Sequence, residues 1–414
     1  MLVLTMAAPS STVRLARVAR GTSALSRMAG RSGSVIGGRV VLYLDRKALG
    51  RFAAGRSVHL VSGTNGKTTT TALLTAALRT AGPVVTNTAG ANLKTGLVAA
   101  LVEDLDAPTA VLEVDEAALV PVLSELGAGV AVLLNLTRDQ LDRYAEVRLT
   151  AARWRRALRD APGVHVVANA DDPLVVWAAG EAASTTWVAA GHHWRADASA
   201  CPACPGRISW DLDVWSCRCG LVRPAPEVSV RSGALTQAAG PPIHLALQLP
   251  GRCNLGNAAM AATAAQVGGV PPALSIPAMA QVTEVSGRYR EVTVGSTRIR
   301  LLLAKNPAGW NEVFDDLLLP APAAVVVAVN AQGPDGRDPS WLWDVDFERL
   351  RNRPVVTAGE RALDLAARLH YAEVPCHVEP DPLRAVQALP DQQVDLVANY
   401  TAFRSIASRV GHGG

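Results

Sequence analysis

The chain is nearly without lysine. Of its 40 basic residues only Lys47, Lys67, Lys94 and Lys305 are lysines, so each stands out as a candidate for a specific role. Aromatic residues are equally scarce, at 4%, which predicts a core built mostly from aliphatic side chains and alanine. No apolar run reaches the length of a membrane span. Met1–Met6 is briefly apolar, but the arginines follow it at Arg14, Arg17, Arg20, Arg27 and Arg31. A secretory signal carries its charges before the apolar stretch, so the expectation is a cytoplasmic protein with a basic arm. That arm reads as a solvated helix and loop, or as a segment drawn to the anionic inner face of the membrane. The net charge of +4 is too small to argue for nucleic acid. What remains is ample: 414 residues, 49% hydrophobic and 18% charged, call for two or three domains with large buried faces and exclude a disordered chain or a coiled coil.

Gly, Ser and Arg crowd the stretch around Gly30–Gly38, and a different rhythm starts at Ser57. Short apolar runs (58–62, 84–86, 109–114, 130–135, 164–169) alternate with helical patterns such as 69–80, the sequence form of a parallel α/β sheet. Residues 195–226 break that rhythm with Cys, Pro, Gly and Trp and read as an inserted module. A helix over 254–267 follows, and Pro271, Pro272 and Pro277 interrupt what comes next. After Gly287 a second, smaller α/β unit begins, with strands over 298–303, 323–329, 354–357 and 394–398. The expected boundaries are an arm over 1–55, a central domain over 56–290 with its module at about 197–225, and a C-terminal domain over 291–414.

The stretch Val61-Ser62-Gly63-Thr64-Asn65-Gly66-Lys67-Thr68-Thr69 follows an apolar strand and opens a helix. Backbone amides of such a turn face an anion, Lys67 meets the outer phosphates of ATP, and Thr68 holds Mg²⁺. The usual spacing places Gly at position 61, which is Val here, so the loop is a shortened variant. As a loop residue, Lys67 is expected to be exposed. Glu113-Val114-Asp115-Glu116 closes an apolar strand, where carboxylates either ligate Mg²⁺ or cap the following helix. Four of the six cysteines are clustered as Cys201-Pro-Ala-Cys204 and Cys217-Arg-Cys219. Two close thiolate pairs suit tetrahedral Zn²⁺ in a closed, structural site. The second pair is CxC, which departs from the usual CxxC.

Gly63–Thr69 resembles the Mur ligase and folylpolyglutamate synthetase superfamily. So do Asn87–Asn92, Asn135–Arg143, Asn169–Pro173, Leu249–Ala258 and Gly287-Arg288, in the same order as in the superfamily. The resemblance implies that Gly63, Thr64, Asn65, Gly66, Lys67, Thr68, Thr69, Asn257 and Arg288 bind ATP, and that Glu113 is the Mg²⁺ carboxylate. It also marks departures. Gln140 stands where a His near a second Mg²⁺ is usual. No Lys lies between Lys94 and Lys305 to be carbamylated, and only about sixty residues precede the loop, too few for a sugar-nucleotide domain.

A Mur ligase core carrying a four-Cys ribbon is similar to the MurT family, the ligase subunits of lipid II isoglutaminyl synthase. Leu303–Asn311, Asp335–Asp344, Asn399–Ala402 and the arm over 14–49 resemble that family too. The implied fold is α/β: a Mur ligase-type central P-loop ATPase domain with a parallel sheet and inserted zinc ribbon, then a smaller Rossmann-like C-terminal domain. The implied activity is ATP-dependent amidation of the D-glutamate α-carboxylate of the lipid II stem peptide through an acyl-phosphate. Ammonia would come from a GatD-type glutamine amidotransferase partner, since neither Cys253 nor Cys376 sits in a nucleophile elbow. By the same resemblance Asp338 completes the partner's catalytic triad, the alternative being a turn residue before Pro339. Lys305, the one lysine of the second domain, would serve the γ-phosphate, against a plain surface role. Two other readings compete. One is a free-standing amino acid ligase. The other is an ATP-dependent nucleic-acid binder reading with its Cys ribbon, although Arg207 and Arg218 alone make no basic patch and no nucleic acid partner is expected.

Overall fold

In the computed structural model, the described residues are 10–28, 35–87, 90–138, 144–191, 194–283, 289–318, 320, 323–332, 335–390 and 393–411. They form two compact units. The first takes in residues of Met1–Leu136, Arg148–Gln248 and Asn254–Val282, the second those of Thr137–Val147, Leu249–Cys253 and Thr283–Gly414.

The first unit runs α1 (Ser10–Met28), α2 (Ile36–Leu44), α3 (Ala48–Ala53), β1 (Ser57–Ser62), α4 (Lys67–Leu78), β2 (Val84–Thr86), α5 (Lys94–Leu101), β3 (Thr109–Glu113), α6 (Leu119–Leu126), β4 (Val130–Leu133), α7 (Tyr144–Arg159), β5 (His165–Asn169), α8 (Pro173–Ala179) and β6 (Ser184–Ala189). There follow β7 (Ser209–Asp211), β8 (Val214–Ser216), β9 (Val228–Arg231), β10 (Ala234–Gln237), β11 (Ile243–His244), α9 (Arg252–Val267) and α10 (Pro272–Met279). One sheet has the order β11-β10-β9-β6-β5-β4-β1-β3-β2. From β9 to β2 every pairing is parallel, while β9, β10 and β11 pair antiparallel at the edge. The central strands are buried along most of their length, as a sheet covered on both faces requires.

The stretch expected to be a solvated arm is folded into this unit. Thr12, Ala16, Ala19, Ser23 and Ser26 of α1 are buried, and α1 packs on α2, which packs on α5. These residues recur at i, i+4, i+7, i+11 and i+14, a helical face that is small rather than apolar. At Gly37 an added Cβ would collide with Ala19 O and Ser23 Oγ, and at Gly38 with Thr95 O. Close helix approach replaces hydrophobic bulk here. The prolines near α10 also read differently in three dimensions. Pro272 takes the first helical position, where an N–H has no intrahelical partner, so it starts a helix.

His59 on β1 is buried, and burial lowers its pKa from 6.5 to about 4. The folded state therefore holds the neutral ring, and its contribution to stability is present above pH 6.5 and lost as pH falls towards 4. Between about pH 7 and about pH 5, denaturant unfolding should show a loss of roughly 2 kcal/mol that His59→Leu removes. An equal loss in the variant would assign the effect to other groups.

The second unit comprises β12 (Tyr289–Val294), β13 (Thr297–Leu303), α11 (Pro307–Glu312), β14 (Val325–Ala328), β15 (Val355–Ala358), α12 (Ala362–Tyr371), β16 (Cys376–Val378), α13 (Pro382–Gln387), β17 (Gln393–Ala398) and α14 (Tyr400–Gly411). The sheet order is β12-β13-β17-β14-β15-β16, parallel except for the β12–β13 hairpin. Alternate residues of β14 serve opposite cores. Val325 and Val327 face a cluster with Trp310, Phe314 and Phe347, and Val326 and Ala328 face one with Leu396, Phe403 and Ile406. The scarce aromatics are concentrated here: Trp310 lies 5.8 Å from Phe314, and Phe314 lies 5.5 Å from Phe347 between ring centroids. Leu, Val and Ala still make up most of this face, as the composition predicts.

Candidate functional site

The loop after β1 is built from two glycines that nothing else can replace. Gly63 has φ +145°, and a Cβ there would lie 2.9 Å from Leu134 Cβ and 3.0 Å from Asn135 N. Gly66 has φ +82°, with Asn257 Oδ1 2.5 Å from where its Cβ would be. Asn135 holds the loop from below. Its carbonyl accepts from Thr64 N at 2.9 Å, its Oδ1 from Asn65 N at 2.8 Å, and its Nδ2 donates to Asn65 O at 3.1 Å. Thr70 N returns to Gly66 O at 2.9 Å, so the amides of Lys67, Thr68 and Thr69 precede the first intrahelical bond of α4 and point out of its N-terminus. Amides arranged in this way suit phosphate oxygens.

Lys67 corrects the sequence reading. It is buried, 4% exposed, not an exposed loop residue. Its Nζ donates to Gly63 O at 2.5 Å and Thr64 O at 3.2 Å, and forms an ion pair with Glu116 Oε2 at 3.0 Å. Spacing does not reveal the Lys67–Glu116 pair, since the two residues follow different strands. Trp154 Nε1 fixes the backbone there, donating to Glu116 O at 2.9 Å. Asp115 has a humbler role: its Oδ1 accepts from Ala117 N at 3.0 Å and shapes the turn.

Glu113, 3% exposed at the end of β3, accepts from Thr68 Oγ1 at 2.8 Å through Oε2 and from Asn92 Nδ2 at 3.2 Å through Oε1. Asn87 anchors the strand end, donating to Glu113 O at 3.0 Å and accepting from Glu113 N at 2.8 Å. A hydroxyl and a carboxylate side by side at the mouth of this loop form an oxygen donor set that suits a hard divalent cation. Gln140 and Arg288 lie outside the described residues.

The four cysteines of the inserted module converge. All four Sγ atoms lie within 4.8 Å of one another, with Cys201–Cys219 at 3.7 Å and Cys204–Cys217 at 3.5 Å. Four thiolates at the zinc–sulfur distance of about 2.3 Å would span edges of about 3.8 Å, so the donors fit a tetrahedral ion. Gly206 N donates to Cys204 Sγ at 3.2 Å, and a side chain on Gly206 would crowd Cys204 and Cys217. Burial pushes the Cys201 thiol up to about 12, while the Leu221 N–H brings Cys219 down to about 7. The module is tied to the sheet by the buried Trp215, which donates to Ala170 O at 3.1 Å, and by Arg223 on Asp171 at 2.6 Å.

In the second unit Asp338 is exposed. It accepts from Ser340 N at 2.9 Å at the start of the Ser340–Asp344 turn, and this bond holds its carboxyl below the usual carboxylate range. The loop around it is fastened: Arg361 Nη2 donates to Arg337 O at 3.2 Å, and Asp335 accepts from Thr401 N at 2.7 Å and Tyr400 N at 3.2 Å. The 335–344 and 399–402 motifs therefore meet at the N-terminus of α14. Lys305 follows β13, half-buried, beside Asn306, whose Oδ1 caps α11 by accepting from Gly309 N at 3.0 Å.

Known proteins share these parts. The Mur ligase middle domain family matches residues 61–200 and the MurT ligase C-terminal family matches 303–403. The lipid II isoglutaminyl synthase (glutamine-hydrolyzing) subunit MurT of Streptococcus pneumoniae is 29% identical over 408 residues, 89% of this chain and 90% of its own. That of Staphylococcus aureus strain N315 is 29% identical over 424 residues, 94% and 95% of the two chains. Among solved structures, a pseudomurein peptide ligase type C from Methanothermus fervidus shares the fold, with a TM-score of 0.67 at 17% identity over 87% of this chain and 79% of that one. A Mur ligase middle domain and a MurT ligase C-terminal domain thus follow one another in this chain, and its likeness to MurT subunits of lipid II isoglutaminyl synthase runs through both.

Proposed function

We propose that the chain is the ligase subunit of a lipid II isoglutaminyl synthase, amidating the D-glutamate α-carboxylate of the stem peptide at the expense of ATP in cell-wall synthesis. The carboxylate oxygen takes the γ-phosphoryl group, giving an acyl-phosphate and ADP. Ammonia then attacks the acyl carbon, phosphate leaves, and the nitrogen gives up a proton. The observation that carries the reading is the cradle of Gly63, Gly66 and Lys67 beside the Thr68–Glu113 pair. Phosphoryl transfer asks a protein for charge neutralisation and alignment, and this cluster supplies both. Mg²⁺ would be held by Thr68 and Glu113 and would neutralise phosphate charge. Lys67 has to leave the carbonyls of Gly63 and Thr64 to meet a phosphate, and Glu116 gives it a second resting partner. Lys305 is assigned to the transferred phosphoryl group.

The ammonia source is a GatD-type glutamine amidotransferase subunit, to whose His the Asp338 carboxylate is presented. Copurification of both chains, followed by an assay of lipid II amidation with ATP and glutamine, tests the whole reading. Absence of amide product from a stable complex supplied with both substrates would overturn it.

Zinc is the ion assigned to the four-Cys module, as a structural centre with no open position. Elemental analysis should give close to one zinc per chain. Cys201→Ser should lose the metal and lower the melting temperature. A metal-free wild-type protein of undiminished stability would remove the assignment.

A further inference from the structure

The N-terminal helices present a face that the ligase chemistry does not use. Six arginines and no aspartate or glutamate precede Asp45, and Asp45 is itself paired with Arg51 at 3.0 Å. On α1 the buried residues lie on one side. Arg14, Arg17, Val18, Gly21 and Leu25 lie on the opposite side, all exposed, with Leu25 66% and Val18 41% accessible. On α2, Arg39 and Tyr43 recur at i and i+4, both exposed. Tyr43 is 89% accessible and Leu44 beside it 58%. α1 and α2 pack on one another, so the two sets belong to one small subdomain.

We infer that this α1–α2 face docks the protein on an anionic phospholipid surface. Charge complementarity selects the occupant. Guanidinium groups on a stretch of chain that carries no carboxylate before Asp45 favour phosphate headgroups. A tyrosine and isolated aliphatic side chains among them match the headgroup boundary, where amphipathic rings and short apolar groups are at home. No described helix is long and apolar enough to cross a membrane, and α1 spends its small-residue face on α2, so the contact is peripheral, made by side chains lying on the surface. The inference deepens the proposed function by giving the enzyme a way to meet a lipid-linked substrate, but its test needs neither ATP nor that substrate.

The test is flotation of the full chain with its partner subunit on phosphatidylcholine vesicles with and without phosphatidylglycerol. Binding to the anionic vesicles alone, released by salt, is expected. At about fivefold per basic side chain, Arg14→Glu with Arg17→Glu should weaken partitioning by roughly 25-fold or more. Tyr43→Ser with Leu44→Ser should weaken it independently. All four positions are exposed, so unchanged melting curves separate lost docking from lost folding. ATP turnover on a water-soluble stem-peptide substrate should be unchanged in both variants. Equal binding to neutral vesicles, no binding at all, or undiminished binding by the charge-reversed variant would overturn the inference. So would self-association of the wild type that the charge reversal abolishes, because the face would then serve a second copy of this chain. Vesicle binding as expected with no amidation would count against the proposed function alone.

Discussion

Lys67→Ala is expected to abolish amidation and to lower stability as well. The catalytic loss follows from removing the ammonium that would meet the outer phosphates, and a defect of about 10²–10³ in kcat is the scale for one lost electrostatic group at a charged transition state. The stability loss follows from burial. Lys67 is 4% exposed and its ion pair with Glu116 spans 3.0 Å, so the variant leaves a part-buried carboxylate without its cation, at about 1–3 kcal/mol. The two effects come apart in Lys67→Ala combined with Glu116→Gln. The double variant should regain much of the stability, read as a denaturation midpoint, and none of the activity. If Lys67→Ala alone forms product at the wild-type rate, the cradle is not the phosphate site.

Asp338→Asn should cripple glutamine-dependent amidation and spare the ammonia-dependent reaction. Asn keeps the size of the side chain, and its Oδ1 still accepts from Ser340 N, so the fastened loop stays where it is. What goes is the charge. In the wild type the Asp338 carboxyl, which the Ser340 N–H holds below the usual carboxylate range, is charged at neutral pH, ready to orient and stabilise an imidazolium as a partner cysteine loses its proton. Loss of such an acid costs about 10²–10⁴ in rate. Ammonium salts should restore product in the variant complex, because free ammonia bypasses glutamine hydrolysis and the Lys67 and Glu113 chemistry is intact. Unchanged glutamine hydrolysis would show that Asp338 is only a turn residue. Failure with ammonia too would place it in the ligase chemistry or the fold.

What could be read from the sequence was whatever its local pattern dictates. The apolar strand, glycine turn and helix over 57–78 announce themselves because strand, φ requirement and helix start are each encoded within a few residues. Pairings made across the chain are silent. Glu116 looks like a cap until β1 and β3 lie side by side and bring it to Lys67. Asn135 reads as part of a motif, and its role as the floor of the loop depends on β4 lying next to β1. The buried face of α1 escapes hydrophobic patterning because it is Ala, Ser and Thr, packed closely where Gly37 meets Ala19 and Ser23. The edge strands β11, β12 and β16, and β10 next to β11, are short or half-exposed, and they gain their order from neighbours rather than from their own side chains.

The four-cysteine module has a consequence for how the molecule assembles. β6 and β9 are parallel neighbours, Val188 beside Val228 and Ala189 beside Ser229. Parallel strands need a long crossover, and here the crossover is the module itself. The slack between the two strands must be closed before their pairing rewards it, at an entropic cost that grows with free chain length. A metal held by Cys201, Cys204, Cys217 and Cys219 draws that slack into a local knot, whose ligands lie close in sequence and can meet early. Such an ion would set the timing of the sheet's far edge. Refolding under chelation would delay the joining of β9, β10 and β11, while β1 to β4, which carry the phosphate cradle, zip together at their own pace.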